Sequence, residues 1–152
     1  MKGNIFITVG TGKFDELIRS IDLLISELKL KVIAQIGNGG YIPKNCKFFR
    51  YKPSLREEYK KARIIVSHGG AGTTFEILSM GKKLVSIANL ERTDVHQEEI
   101  LKELSKQGYL IWCDNLEKLG ECIKKAEHYK FKKYKKPKNL IAKKIEEFLS
   151  SC

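Results

Sequence analysis

The chain has 152 residues, of which 42% are hydrophobic and 31% charged, with a formal net charge of +11. That length suits one domain with a sizeable core, and that balance excludes a disordered chain. No apolar stretch approaches the ~20 residues of a membrane span, and the start "MKGNIFITVGTGK" is no secretory signal, so a cytoplasmic location is expected.

In chain order, residues 4–9, "NIFITV", form a β-branched and aromatic run that reads as a first strand. The helix that follows places Phe14, Leu17, Ile18, Ile21, Leu24, Ile25 and Leu28 at helical spacing. Strands are expected over 30–36, 46–51, 63–67, 83–88 and 109–113. Helices are expected near 53–60, 71–80, 94–107 and 115–127. A last helix over 139–150 would carry Leu140, Ile141, Ile145, Phe148 and Leu149 on one face.

The alternation of short apolar strands with helices predicts an α/β fold, a doubly wound parallel sheet of six strands in the order 3-2-1-4-5-6. Its switch point lies between the first and fourth strands, and ligands bind there at the carboxyl ends. The two loops emerging at that point are "GTGK" (10–13) and "SHGGAGTT" (67–74), so both glycine-rich loops are expected to face one crevice. The chemistry suits a phosphate: glycines allow close backbone approach, and the amides and dipole of a helix start attract anions. Thr73 and Thr74 offer hydroxyl donors to a ligand or caps for the helix. Glu76 fits either a favourable dipole contact or acceptance of two ribose hydroxyls.

The charge is concentrated. Between positions 124 and 144 there are ten lysines and one acid, Glu127, so +9 of the +11 lies there. The chain therefore divides into a domain over 1–127 and a basic tail with its amphipathic helix over 128–152. The tail fits a solvated surface or contact with anionic lipid or an acidic partner; no RNA- or DNA-binding motif accompanies it, and nucleic acid is not the expected partner. Cys46, Cys113, Cys122 and Cys152 form no CxxC pair and read as free thiols, with Cys46 and Cys113 expected in the core. The three scattered histidines give no zinc spacing, and neither GxGxxG nor GxxxxGK[ST] occurs.

"IFITVGTGKFDELI", "SHGGAGTTFEILSMGKKLVSI" and "DVHQEEILKELSKQGYLIWC" together resemble the carboxy-terminal, donor-binding domain of family 28 glycosyltransferases, enzymes of two-domain GT-B architecture. The likeness covers about residues 4–125 and is greatest to split members, in which the two halves are separate polypeptides. These include the dolichol-pathway UDP-N-acetylglucosamine transferase and bacterial exopolysaccharide and capsule transferases. The resemblance implies a Rossmann-like half of a GT-B fold. It implies donor diphosphate contacts at Gly10, Thr11 and Gly12 and at His68, Gly69, Gly70, Ala71, Gly72 and Thr73. Ribose would be held by Glu76, and the donor sugar by His96 and Gln97, with Asn89 matching less closely.

The implied reaction is inverting transfer of GlcNAc, Glc or Gal from a UDP-sugar, with no cofactor and no metal. The missing half implies a membrane-anchored acceptor-binding partner that supplies the catalytic base and recruits the chain to the cytoplasmic face of a membrane. The acceptor would be a polyprenyl- or dolichyl-linked sugar. A non-catalytic nucleotide-sugar-binding or regulatory subunit is the alternative.

Overall fold

The computed structural model of the protein describes residues 3–87 and 95–135; the expected sugar contact at Asn89, the helix over 139–150 and Cys152 lie outside them. Six parallel strands alternate with helices: β1 (Asn4–Thr8), α1 (Asp15–Leu28), β2 (Val32–Gln35), β3 (Lys47–Phe49), α2 (Arg56–Lys61), β4 (Ala62–Ser67), α3 (Ala71–Ser79), β5 (Leu84–Ile87), α4 (Val95–Lys106), β6 (Ile111–Cys113) and α5 (Leu119–His128). They form one sheet in the order β3-β2-β1-β4-β5-β6, as the alternation predicts.

The strands are apolar on both faces because helices cover both. Ile5, Ile7, Ile64, Val66 and Val85 point to one side, where Leu17, Ile18, Ile21 and Ile25 of α1 and Leu119 and Ile123 of α5 meet them. Phe6, Ile65 and Leu84 point to the other, against Tyr59 of α2, Ile77 of α3 and Leu101 of α4. Each such aliphatic side chain removed from water contributes ~1.5–3 kcal/mol before ordering costs.

Element ends depart from expectation for local reasons. The sixth strand begins at Ile111 rather than 109, because Tyr109 donates its N–H to the Leu104 carbonyl and so still belongs to the end of α4. The helix expected from 115 opens instead as a 3₁₀ turn, Leu116–Lys118, with the Asn115 side chain accepting the Glu117 N–H at 2.9 Å. Cys113 is buried in the core, but Cys46 is only half-buried at its margin. The first part of the lysine-rich stretch is packed on the domain: Tyr129 and Phe131 lie against the α1–α5 side, and the Tyr134 ring centre lies 5.7 Å from that of Phe75, tilted, and 5.6 Å from that of Tyr109, edge-on.

One buried charge lies on the inner face of α1. Asp22 is 2% exposed and accepts the Tyr41 hydroxyl at 2.7 Å and the Lys44 and Asn45 N–H groups at 2.9 Å each. It thereby holds the long β2–β3 loop to the helix. Burial pushes its carboxyl up, but these hydrogen bonds outweigh burial and hold it below its ordinary value. A depressed carboxyl stabilises the fold above its unfolded pKa of ~3.9 and ceases to do so as pH falls through the folded value. Asp22→Asn should therefore cost about 1.5–3 kcal/mol at pH 7 in urea unfolding, with the gap to wild type closing below about pH 4. A gap that stays constant down to pH 3 would show that the charge is not what holds the loop.

Candidate functional site

The two glycine-rich loops meet through a histidine. β1 and β4 pair with Thr8 opposite Ser67, so the loops leave the sheet side by side, and the His68 N–H donates to the Thr8 carbonyl at 3.2 Å. The His68 ring then stands between the loops: a Cβ added at Gly10 would lie 2.8 Å from its Cε1 and Nε2, and one at Gly70 2.5 Å from its Nε2. Gly10 also has φ +70° and Gly69 φ +87°, left-handed values that glycine adopts without steric cost. Burial holds the His68 imidazole below its ordinary pKa against the Thr8 backbone bond, so the ring is neutral at pH 7. His68 packs the crevice floor and brings no charge to it.

α3 begins directly beyond this floor. Gly70 is its N-cap, with extended backbone and no side-chain cap, so the opening amides of Ala71, Gly72 and Thr73 have no side-chain acceptor. The Thr74 hydroxyl neither caps nor faces a ligand: it is fully buried and donates back to the Gly70 carbonyl at 2.7 Å. Gly72 is exposed, with nothing within 4 Å of the place a Cβ would take. Glu76, one turn on, is exposed at the same end of the helix. It stands near enough to Tyr59 to add to the burial that pushes that phenol up to about 12. The α3 opening thus presents free amides, an open glycine surface and one carboxylate.

The 10–13 loop is fixed by a residue that motif reading passes over. Gln35, 2% exposed, accepts the Thr8 hydroxyl at 2.7 Å and the Val9 N–H at 3.1 Å. Its amide donates to the Gly10 carbonyl at 2.9 Å and the Arg50 carbonyl at 2.7 Å. Exposed Thr11 is held by its carbonyl, which accepts the Tyr51 hydroxyl at 3.1 Å; buried Gly12 accepts the Asn38 N–H at 3.0 Å. The available signal was one amide interrupting the apolar run "KVIAQI". A buried polar side chain in a sheet interior needs partners, and here they belong to the loop.

His96 and Gln97 lie on the first turn of α4, beside the carboxyl end of β5, with His96 well exposed and 4.0 Å from Glu99. A cleft of ≈ 870 Å³ opens at this same end of the sheet, between Lys13 and Arg19 at the start of α1 and Cys113 to Glu117 after β6. Among the described residues no three His, Cys, Asp or Glu side chains cluster as a metal site, and no helix is long and apolar enough to cross a membrane.

A doubly wound sheet whose switch-point loops lead to an uncapped helix start is a Rossmann-like fold. Residues 4–151 match the family model described as glycosyltransferase family 28 C-terminal domain, and the chain belongs to that family. It is 38% identical over 122 residues, 72% of its length, to the human UDP-N-acetylglucosamine transferase subunit ALG13. It is 27% identical over 160 residues to the subunit of that name from Yarrowia lipolytica, covering 92% of this chain and 80% of the yeast protein. The chain spans about a tenth of the length of the human and mouse relatives, at 11% and 10%. Its fold matches an NMR solution structure of ALG13 with a TM-score of 0.66 at 16% identity, covering 97% of this chain and 95% of that one. MurG of Acinetobacter baumannii gives 0.66 at 16%, covering all of this chain and 53% of its own.

The position of His68 makes a steric prediction. Gly70→Ala keeps an allowed backbone but drives a methyl into the imidazole and should cost about 1–3 kcal/mol. In a His68→Ala background the same change should cost under about 1 kcal/mol, the loss expected from the cap alone. Equal costs in the two backgrounds, measured by chemical denaturation, would remove His68 from between the loops.

Proposed function

We propose that this chain is the donor-binding, catalytic subunit of a two-part inverting glycosyltransferase that moves N-acetylglucosamine from its UDP-linked form to a lipid-linked sugar. The observation that carries this reading is the uncapped start of α3, set against the 10–13 loop through His68. The amides of Ala71, Gly72 and Thr73 receive the diphosphate, and Glu76 accepts from the ribose hydroxyls. As the sugar–oxygen bond breaks, negative charge grows on the departing UDP. Fixed amide donors stabilise that charge without reorganising, which is the role a divalent cation has in other transferases. On this reading the subunit needs no metal. His96 and Gln97, at the start of α4, contact the sugar.

The acceptor is a polyprenyl- or dolichyl-linked sugar, held by a membrane-anchored partner that also supplies the general base and brings this chain to the cytoplasmic face. The sugar identity and the division of labour are supported by the names of the relatives, which are subunits of a UDP-N-acetylglucosamine transferase.

UDP at 100 times its Kd should stabilise the chain by ~2.7 kcal/mol, a rise in Tm of roughly 5–10 °C, whereas ADP should do much less. Gly72→Ala separates binding from folding. An alanine in the open first turn of α3 should leave stability unchanged or raise it by up to ~1 kcal/mol, while its methyl covers the amides and weakens UDP at least tenfold. Undiminished UDP affinity in Gly72→Ala, by calorimetry, would move the diphosphate away from α3.

Catalysis has a separate test. The purified chain should transfer radiolabelled sugar to a lipid-linked acceptor at background rate, and the rate should rise at least a hundredfold with membranes containing the partner. Full activity without those membranes would overturn the two-part scheme.

A further inference from the structure

Three successive carbonyls of the first glycine-rich loop are drawn to the same side. Gly10 accepts from Gln35 Nε2 at 2.9 Å, Thr11 from the Tyr51 hydroxyl at 3.1 Å and Gly12 from the Asn38 N–H at 3.0 Å. The donors belong to β2 or to the segments that follow β2 and β3, on the flank of β1 away from β4. Tyr51 and Asn38 are exposed, whereas Gln35 is 2% exposed and bonded at both ends of its amide. Obligate partners set the direction of that amide. The Val9 N–H can only donate, so the Gln35 oxygen faces it; the Gly10 and Arg50 carbonyls can only accept, so the nitrogen faces them.

The bond to Gly10 orients a peptide plane. The peptides here are trans, and in a trans peptide the C=O and N–H point in opposite directions. With its carbonyl drawn toward β2, the Gly10–Thr11 peptide turns the Thr11 N–H the other way, toward β4 and the loop that opens α3. Thr11 is exposed, and among the described residues its N–H donates to nothing.

We propose that Gln35 is a positioning residue for the donor, setting the polarity of the 10–13 loop so that the Thr11 N–H, and not the Gly10 carbonyl, faces the diphosphate. The role rests on the donor site proposed for the crevice. Gly10, at φ +70° and without a side chain, offers little resistance to rotation of the peptide after it. Without Gln35 that plane is free to turn over, and a carbonyl oxygen would then meet the phosphates. Gln35 touches no ligand; it acts through one peptide. The diphosphate meets an amide from the 10–13 loop on one side and the opening amides of α3 on the other.

The test compares two ligands that differ only in the diphosphate. UDP and uridine are titrated into the ¹⁵N-labelled wild-type chain and into Gln35→Met, followed by NMR. Methionine is similar in length and shape but has no N–H to donate. Gln35→Met should weaken UDP by about tenfold or more and leave uridine affinity within about threefold. A purely structural role for Gln35 would weaken both ligands alike. In the wild type, the Thr11 amide proton should move downfield with UDP and stay in place with uridine, a reading that decides the matter even where Gln35→Met does not fold. Three results would overturn the role of Gln35 while leaving the diphosphate at α3: unchanged UDP affinity in a folded Gln35→Met, equal weakening of both ligands, or a Thr11 amide indifferent to UDP. A wild-type chain that binds uridine as tightly as UDP would instead overturn the donor site itself, and this role with it.

Discussion

The parallel pairing of β1 with β4 is the constraint on which the crevice depends. The strands lie 59 residues apart in register, Thr8 beside Ser67, and meet only because right-handed crossovers return the chain to the centre of the sheet. Ile5, Ile7, Ile64 and Val66, all fully buried there, make any other register expensive. A slip of one residue would turn each of them to the wrong face. With the register fixed, two loops leave the sheet side by side, and His68, its N–H donating to the Thr8 carbonyl and its ring between Gly10 and Gly70, joins them. The glycines at 10 and 70 then follow, since any side chain there would occupy the place of the imidazole.

One row of the sheet, just below the loops, is polar where the rows beneath it are apolar. Gln35, Thr8, Ser67 and Ser86 stand opposite one another in four adjacent strands, above Phe6, Ile65 and Leu84 on the same face. At the β2 end the row is satisfied, because Gln35 uses both its oxygen and its nitrogen. At the β5–β6 end the Ser86 hydroxyl and the Trp112 indole N–H are buried without partners among the described residues. Each such group costs about 1–3 kcal/mol. The hydrogen-bonded side of this row is thus the β1–β2 side, and its unpartnered side is the β5–β6 side.

The sheet order, both loops and the start of α3 were legible because each rests on local signals that agree: short apolar strands, glycine clusters and helical spacing. Side-chain direction was not legible. Thr74 offered its hydroxyl to a ligand or a cap, and in the fold it turns inward to the Gly70 carbonyl. Asp22 and Gln35 are single polar residues in apolar runs, yet each is a buried anchor whose partners lie 15 to 27 residues away in sequence. Such pairings depend on where loops land, which periodicity does not encode. Phe131 and Tyr134, set among lysines, pack on the domain, which periodicity alone does not show.

That packing decides what the positive charge can do. The stretch after α5 is tied to the amino-terminal end of the sheet, where the Lys132 N–H donates to the carbonyl of Gly108, just ahead of β6. The Arg63–Glu127 pair at 2.7 Å and the Lys83 ammonium on the Glu127 carbonyl fasten the end of α5 to the same region. The glycine crevice opens at the other end of the strands. The six residues of β4 span about 20 Å at ~3.3 Å each, more than twice the ~8 Å Debye length at physiological salt. Lysines 130, 132 and 133 are therefore screened from anything bound at α3. A diphosphate at the start of α3 would have to be held by donors within hydrogen-bonding reach rather than by these three lysines.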